Sequence, residues 1–211
     1  MMNVKRALVL SPHTDDGELG CGGTIAKLIE SGTHVCYVAF SICEESVPPE
    51  FPRDILASEV ALATGRLGIK KENLTVYRYP VRNFCAHRQE ILEKLVVLRR
   101  NFEPELVLMP SPDDIHQDHQ VIHQEGLRAF KNTTVFGYEM PWNNVQFSNT
   151  AFIVLDERHI TVKLAALAEY RSQQHRDYMK GNYIRALSIT RGRQVQQSWA
   201  EAFQVTRCVF Q

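Results

Sequence analysis

The chain has no long apolar run, no excess charge of either sign and no paired cysteine spacing, and each absence removes a class of protein. Its hydrophobic stretches fall well short of the roughly 20 residues that a spanning helix needs. The opening MMNVKRALVLSPHTDDG holds too short an apolar core for a secretory signal. The 24 Lys and Arg are matched by 24 Asp and Glu, so no basic field draws the chain onto nucleic acid or anionic lipid. Five cysteines, Cys21, Cys36, Cys43, Cys85 and Cys208, are odd in number, far apart and without a CxxC pair. That excludes a disulfide framework and a zinc ribbon, and the expectation is five free thiols packed as small hydrophobes. A soluble cytoplasmic protein is expected, with no nucleic-acid partner and no transmembrane segment.

What is present is 211 residues, 44% of them hydrophobic, enough for one well-filled core, so a single domain over 1–211 is expected. Short β-branched segments alternate with longer segments of helical period, which predicts a Rossmann-like α/β fold: a mostly parallel sheet flanked by helices. Strands are expected at Arg6 to Ser11, His34 to Phe40, Leu74 to Tyr79, Leu106 to Met109, Thr134 to Glu139, Ala151 to Leu155 and Gln204 to Phe210. Helices are expected near Gly23 to Ser31 after a Gly-rich turn, and at Arg53 to Leu67, Arg88 to Asn101 and Glu157 to Gln174, with Gly32 and Gly68 ending the first two. The basic, Gln-rich stretch from His175 to Ser198 reads equally as helix, lid or subunit contact.

Two polar segments carry the chemistry. Ser11-Pro12-His13-Thr14-Asp15-Asp16-Gly17-Glu18 follows the first strand, and Asp113-Asp114-Ile115-His116-Gln117-Asp118-His119 follows the fourth. With strand order 3-2-1-4-5 they are neighbours at the carboxyl edge, where open α/β sheets place their sites. His13, Asp16 and His119 then form a three-ligand set of the kind a catalytic zinc uses, with Fe(II) or another divalent ion also suited to two His and a carboxylate. Asp15 leaves the backbone in a different direction from Asp16 and suits a general base. A protonated His116 would polarise a carbonyl and protonate a leaving nitrogen, and Asp118 would orient one of the imidazoles. Spacing alone leaves the choice among His116, His119 and His123 open. Gly17, Gly20, Gly22 and Gly23, with Glu44 and Glu45 after the second strand, offer a minor second reading as a nucleotide-binding loop. The GxGxxG order is absent, and Asp15, Asp16 and Glu18 would repel a pyrophosphate.

Pro12-His13-Thr14-Asp15-Asp16-Gly17-Glu18, running into Gly20-Cys21-Gly22-Gly23-Thr24, resembles the signature of the PIG-L/LmbE-like N-acetylglucosaminyl deacetylases. Asp114-Ile115-His116-Gln117-Asp118-His119 is similar to that family's second motif, and Lys163 to Gln173 to its Lys-bearing helix ending in Ser-Gln. The resemblance implies zinc-dependent hydrolysis of the acetamide of an N-acetylhexosamine conjugate, giving acetate and a free amine. It implies His13, Asp16 and His119 as metal ligands, Asp15 as general base, His116 as the group that polarises the carbonyl or protonates the amine, and Asp118 as the acid tuning His116. It also implies a small-molecule or glycoconjugate substrate and a possible homo-oligomer. Substrate contacts are expected from Arg53, Arg82 and Tyr183, with Trp142 a possible stacking surface for a sugar. A metal amidohydrolase acting on a non-sugar N-acyl compound is the nearer alternative.

Overall fold

The structure is a computed structural model, and it describes residues 4–209. The elements in chain order are β1 (Arg6–His13), α1 (Asp16–Glu30), β2 (His34–Ser41), α2 (Ile55–Leu67), β3 (Leu74–Val76), α3 (Arg88–Phe102), β4 (Leu106–Pro110), α4 (Gln117–Ala129), β5 (Thr134–Tyr138), β6 (Ala151–Leu155), α5 (Glu157–Leu167), α6 (Gly181–Gln194) and β7 (Trp199–Arg207). The sheet order is β3-β2-β1-β4-β5-β7-β6. The five strands from β3 to β5 run parallel, and β7 pairs antiparallel with both β5 and β6. The sheet thus reverses its winding between β1 and β4, as expected, and the carboxyl ends of these two strands face one crevice.

Successive residues of β1 point to opposite faces of the sheet, and both faces are buried. Ala7 and Val9 enter the core beneath α1, α2 and α5, while Leu8 and Leu10 enter the core beneath α3 and α4. This is why the strand reads as a continuous apolar run rather than an alternating one. Gly32 and Gly68 follow α1 and α2 with φ of 84° and 93°, a left-handed conformation that favours glycine. Among the described residues no helix is long and apolar enough to cross a membrane.

Several elements depart from the sequence expectation. The Gly-rich segment after β1 is helical from Asp16 and broken at Cys21, where φ is −146° and ψ 23°. A regular helix would bond the Gly23 N–H to the Leu19 carbonyl; here the Gly23 and Thr24 N–H groups donate to the Glu201 carboxylate at 3.0 and 2.7 Å. The Lys163 ammonium donates to the Leu19 carbonyl and to Glu201, both at 2.7 Å. A buried ion pair from α5 and β7 thereby replaces the missing backbone bond. Gly22 and Gly23 face Lys163, Leu155 and Glu201 inside the protein, so they form no open loop for a phosphate.

Helix α5 stops at Leu167 instead of Gln174, because the Ser172 N–H and hydroxyl both donate to the buried Glu59 of α2 and tie the tail into a 3-10 turn, Arg171–Gln173. The expected last strand lies earlier, at Trp199–Arg207, and Phe210 falls outside the described residues. Strand β3 is only three residues long, since beyond Val76 the pairing with β2 becomes irregular. The stretch 175–198 is mostly α6, which buries Ile184, Ser188 and Gly192 against its own fold. All five cysteines are free; Cys21 and Cys43 are buried and Cys36 is partly so, but Cys85 and Cys208 are exposed, correcting the expectation of a packed role for every thiol.

Candidate metal centre and active-site cleft

His13 is the last residue of β1, and Asp15 stands at the N-cap position of α1 without a capping side-chain bond, the first helical residue being Asp16. His116 caps α4, so Asp118 and His119 sit in a helical first turn and not in a loop. The turn that carries His13 to Asp16 is clamped from below. The Tyr37 hydroxyl contacts Ser11 Oγ and the Thr14 carbonyl at 2.9 Å each and also Glu18, while Tyr170 donates to the Thr14 carbonyl at 2.7 Å and contacts Glu18 at 3.0 Å. Burial pushes the Glu18 carboxyl up to about 8. Gly17 permits this clamp, because a Cβ there would meet the Tyr37 ring at 2.6 Å.

His13 Nδ1 and His119 Nε2 each lie 3.1 Å from Asp16 Oδ2 and 3.2 Å from one another. A tetrahedral ion with bonds of about 2.0–2.1 Å holds its ligand atoms about 3.3 Å apart, so this triangle fits one face of such an ion. The outward nitrogens are also engaged. His13 Nε2 hydrogen-bonds Asp118 Oδ2 at 3.0 Å, and His119 Nδ1 hydrogen-bonds Asp114 Oδ2 at 2.6 Å. Each imidazole therefore carries the carboxylate partner that fixes a metal-binding histidine in the right tautomer. Burial opposes charge on His119, but Asp16 and Asp114 outweigh it and push the ring up to about 10. Burial likewise opposes ionisation of Asp16, yet His119 and His13 hold it well below the usual carboxylate range.

His116 lies close enough to join His13 and His119 in a second three-residue metal group. Its hydrogen bonding speaks for another task. The Asp118 N–H donates to His116 Nδ1 at 3.2 Å, which in a neutral ring leaves the proton on Nε2. Burial, with His119 and His13 nearby, pushes His116 down to about 4, so the ring is a neutral Nε2–H donor and not the imidazolium expected from the sequence. Asp118 holds one of the imidazoles, as the residue types suggest, but it is that of His13 and not, as the resemblance implies, that of His116: its carboxylate accepts from His13 and from the N–H groups of Arg82 and Phe84, at 2.6 and 3.2 Å, and its hydrogen bond to His116 is made by its backbone N–H. Asp15 lines the cleft beside this cluster. Burial and the adjacent Asp16 charge push it up to about 6.

The cleft has a volume of about 330 Å³ and is walled by residues from six segments of the chain, each at or beyond the end of a strand or helix. Arg82 lines it, as expected, with its guanidinium 3.6 Å from Glu45. Arg53 does not: it is exposed just before α2, and Leu56, one helical turn further on, takes the place at the wall. Tyr183 stands behind the rim with its ring 6.2 Å from that of Trp142, and is outside the lining. Trp142 does line the cleft, stacked on Tyr178 at 4.2 Å and 12°.

Sequence reasoning missed Asp114, although it stands two places before His116 in the same motif; the only signal was a surplus carboxylate in a histidine-rich loop. It also missed Arg176 and Tyr178, which reach the cleft from a stretch without periodicity, and Gln173, which stands in the expected helix without an assigned role. His123, the competing ligand candidate, bonds the Pro110 carbonyl through Nδ1 at 2.8 Å and lies outside the cleft lining.

A family model described as GlcNAc-PI de-N-acetylase (PIG-L) matches residues 8–130. The chain is 28% identical over 179 residues to the uncharacterized deacetylase YaiS of Escherichia coli, covering 80% of this chain and 91% of that protein. It is 31% identical over 137 residues to diacetylchitobiose deacetylase of Thermococcus kodakarensis, covering 60% of this chain and 49% of the relative. Among solved structures, the conserved protein TT1542 of Thermus thermophilus superposes with a TM-score of 0.81 at 24% identity over 99% of this chain and 97% of that one. GalB, the 4-carboxy-2-hydroxymuconate hydratase of Pseudomonas putida, superposes with a TM-score of 0.80 at 21% identity over 98% of each chain. The architecture therefore serves more than one reaction, and the chemistry has to be argued from the site.

Proposed function

The chain belongs to the PIG-L (GlcNAc-PI de-N-acetylase) family, and we propose that it is a metal-dependent N-deacetylase that hydrolyses the acetamide of an N-acetylhexosamine conjugate to acetate and a free amine. The observation that carries the reading is the triangle of His13 Nδ1, Asp16 Oδ2 and His119 Nε2, with a carboxylate behind each imidazole. These three residues would hold the ion, for which zinc is the proposal and Fe(II) a chemically suitable substitute. When bound, the ion supplies a Lewis acid for the amide carbonyl and makes water nucleophilic at neutral pH.

The protein groups divide the proton work. Asp15, with a pKa of about 6, accepts the proton of the attacking water as that oxygen bonds to the acetyl carbon. The neutral His116 ring donates its Nε2–H to the carbonyl oxygen as negative charge develops there. As the C–N bond breaks, the proton held by Asp15 passes to the nitrogen and the amine departs. A neutral His116 thus stabilises charge, and the acid step falls to Asp15, which has just been protonated.

The test is acetate release from free N-acetylglucosamine, diacetylchitobiose and nucleotide-, thiol- and inositol-linked N-acetylglucosamine, beside N-acetylated amines without a sugar and a hydroxymuconate-type hydratase substrate. Release from at least one sugar conjugate, with none from the non-sugar amides, supports the proposal. Turnover confined to non-sugar amides or to hydration overturns it.

A further inference from the structure

The mouth of the cleft carries an arginine held in place by uncharged partners, with Asp15 acting on it only at longer range. Arg176 Nε donates to Gln173 Oε1 at 2.7 Å. Gln173 is itself buried; its amide donates to Ser172 Oγ at 3.1 Å, and Ser172 donates through its hydroxyl and its N–H to Glu59 at 2.6 and 3.0 Å. A relay anchored on α2 thus holds Nε from behind. The Tyr178 ring lies 5.7 Å from the guanidinium carbon, its hydroxyl makes a further contact with Arg176, and the ring is backed by the stacked Trp142. Among the described residues Arg176 enters no ion pair. Across the mouth, the guanidinium of Arg82 is paired, among the described residues, with Glu45 alone, and both partners of that 3.6 Å pair are more than half exposed. Such a pair gives way readily to a better ligand.

With Nε committed to Gln173, the guanidinium keeps its Nη edge for a ligand, and a planar edge of this kind pairs bidentately with carboxylate or phosphate. From this we infer that the cleft selects a substrate carrying an anionic group, carboxylate or phosphate, beside the N-acyl sugar, and that Arg176 is the residue that grips it, with Arg82 assisting. This rests on the deacetylase reading and narrows it to an acidic conjugate.

The experiment compares kcat/KM of the zinc-loaded enzyme on three probes: the benzyl glycoside of N-acetylglucosamine, its 4-carboxybenzyl counterpart and N-acetylglucosamine 1-phosphate. The wild type is expected to favour at least one anionic probe over the neutral one by about 10- to 100-fold, the usual strength of a charge-assisted pair; which one it favours separates carboxylate from phosphate. Arg176→Gln collapses that preference toward unity, chiefly through KM, and Gln173→Ala lowers it partway. Arg100→Gln, the same charge change at the opposite end of the sheet, keeps it. Equal treatment of all probes by the wild type overturns the inference. So does an equal fall on all three in Arg176→Gln, which would mean that Arg176 acts through the charge of Asp15. If no probe is turned over, the deacetylase reading has failed, and calorimetry decides the arginine's role separately. Binding of an anionic probe that Arg176→Gln abolishes sustains the anion site, and binding that survives the substitution, or no binding, refutes it.

Discussion

Asp118 on α4 reaches back to the imidazole of His13 on β1, its Oδ2 3.0 Å from Nε2, and the same oxygen accepts the Arg82 N–H at 2.6 Å. One carboxylate therefore links the His13 imidazole to the loop that lines the mouth of the cleft. Asp118→Asn should weaken zinc affinity by about 10- to 100-fold through loss of that orientation, and activity should return when zinc is added in excess. Asp114→Asn should behave likewise through His119. Competition titration against a chelator of known affinity reads both, and unaltered affinity in both variants would remove the carboxylates from the metal centre.

Asp15 and Asp16 are adjacent in sequence and differ in surroundings. Asp16 faces both imidazoles, and Asp15 lines the cleft. Asp15→Asn should cut turnover by about 10²- to 10⁴-fold while the protein keeps one zinc per chain, and Asp16→Asn should lose the metal. Elemental analysis beside acetate release checks the division, which fails if Asp15→Asn also comes out metal-free.

His116 separates the two possible ligand sets. If His13, Asp16 and His119 hold the ion, His116→Ala keeps its zinc and loses about 10²- to 10³-fold in kcat, the size of one lost donor to a developing oxyanion. His119→Ala loses the zinc itself. Zinc loss in His116→Ala would instead assign that ring to the ion, together with His13 and His119.

Lys163 and Glu201 are buried together at 2.7 Å where α1 is broken. Lys163→Met leaves Glu201 without its cation and the Leu19 carbonyl without its donor, and should cost about 3–5 kcal/mol. Chemical denaturation measures it, and a loss below about 1 kcal/mol would show that the pair is dispensable to the helix.

Much of this was legible in the chain. The mostly parallel sheet follows from the alternating segments, and the two polar motifs become neighbours on the strand order 3-2-1-4-5 assumed for it, whereas the seat of β7 between β5 and β6 has no mark in the alternation. What stayed hidden depends on partners distant in sequence. Four glycines from Gly17 to Gly23 read as a turn because glycine is a poor helix former, yet Glu201 accepts the Gly23 and Thr24 N–H groups and Lys163 donates to the Leu19 carbonyl where the break at Cys21 interrupts the helix. Arg53 lies before the first residue of α2 and is exposed, and Leu56 in the first turn of that helix takes the wall instead. The charge state of His116 was misjudged because desolvation and neighbouring imidazoles have no signature in spacing. Arg176 was invisible because its hold comes from Glu59 through Ser172 and Gln173, a relay closed only in three dimensions.

The most direct test of the account is a zinc titration of the chelator-stripped protein with acetate release followed on the best sugar conjugate. The account predicts that activity is absent without metal, rises linearly with added zinc and reaches its plateau at one ion per chain, and that His13→Ala neither binds the ion nor recovers. Full activity in the stripped protein, or an equally complete recovery in His13→Ala, would contradict it.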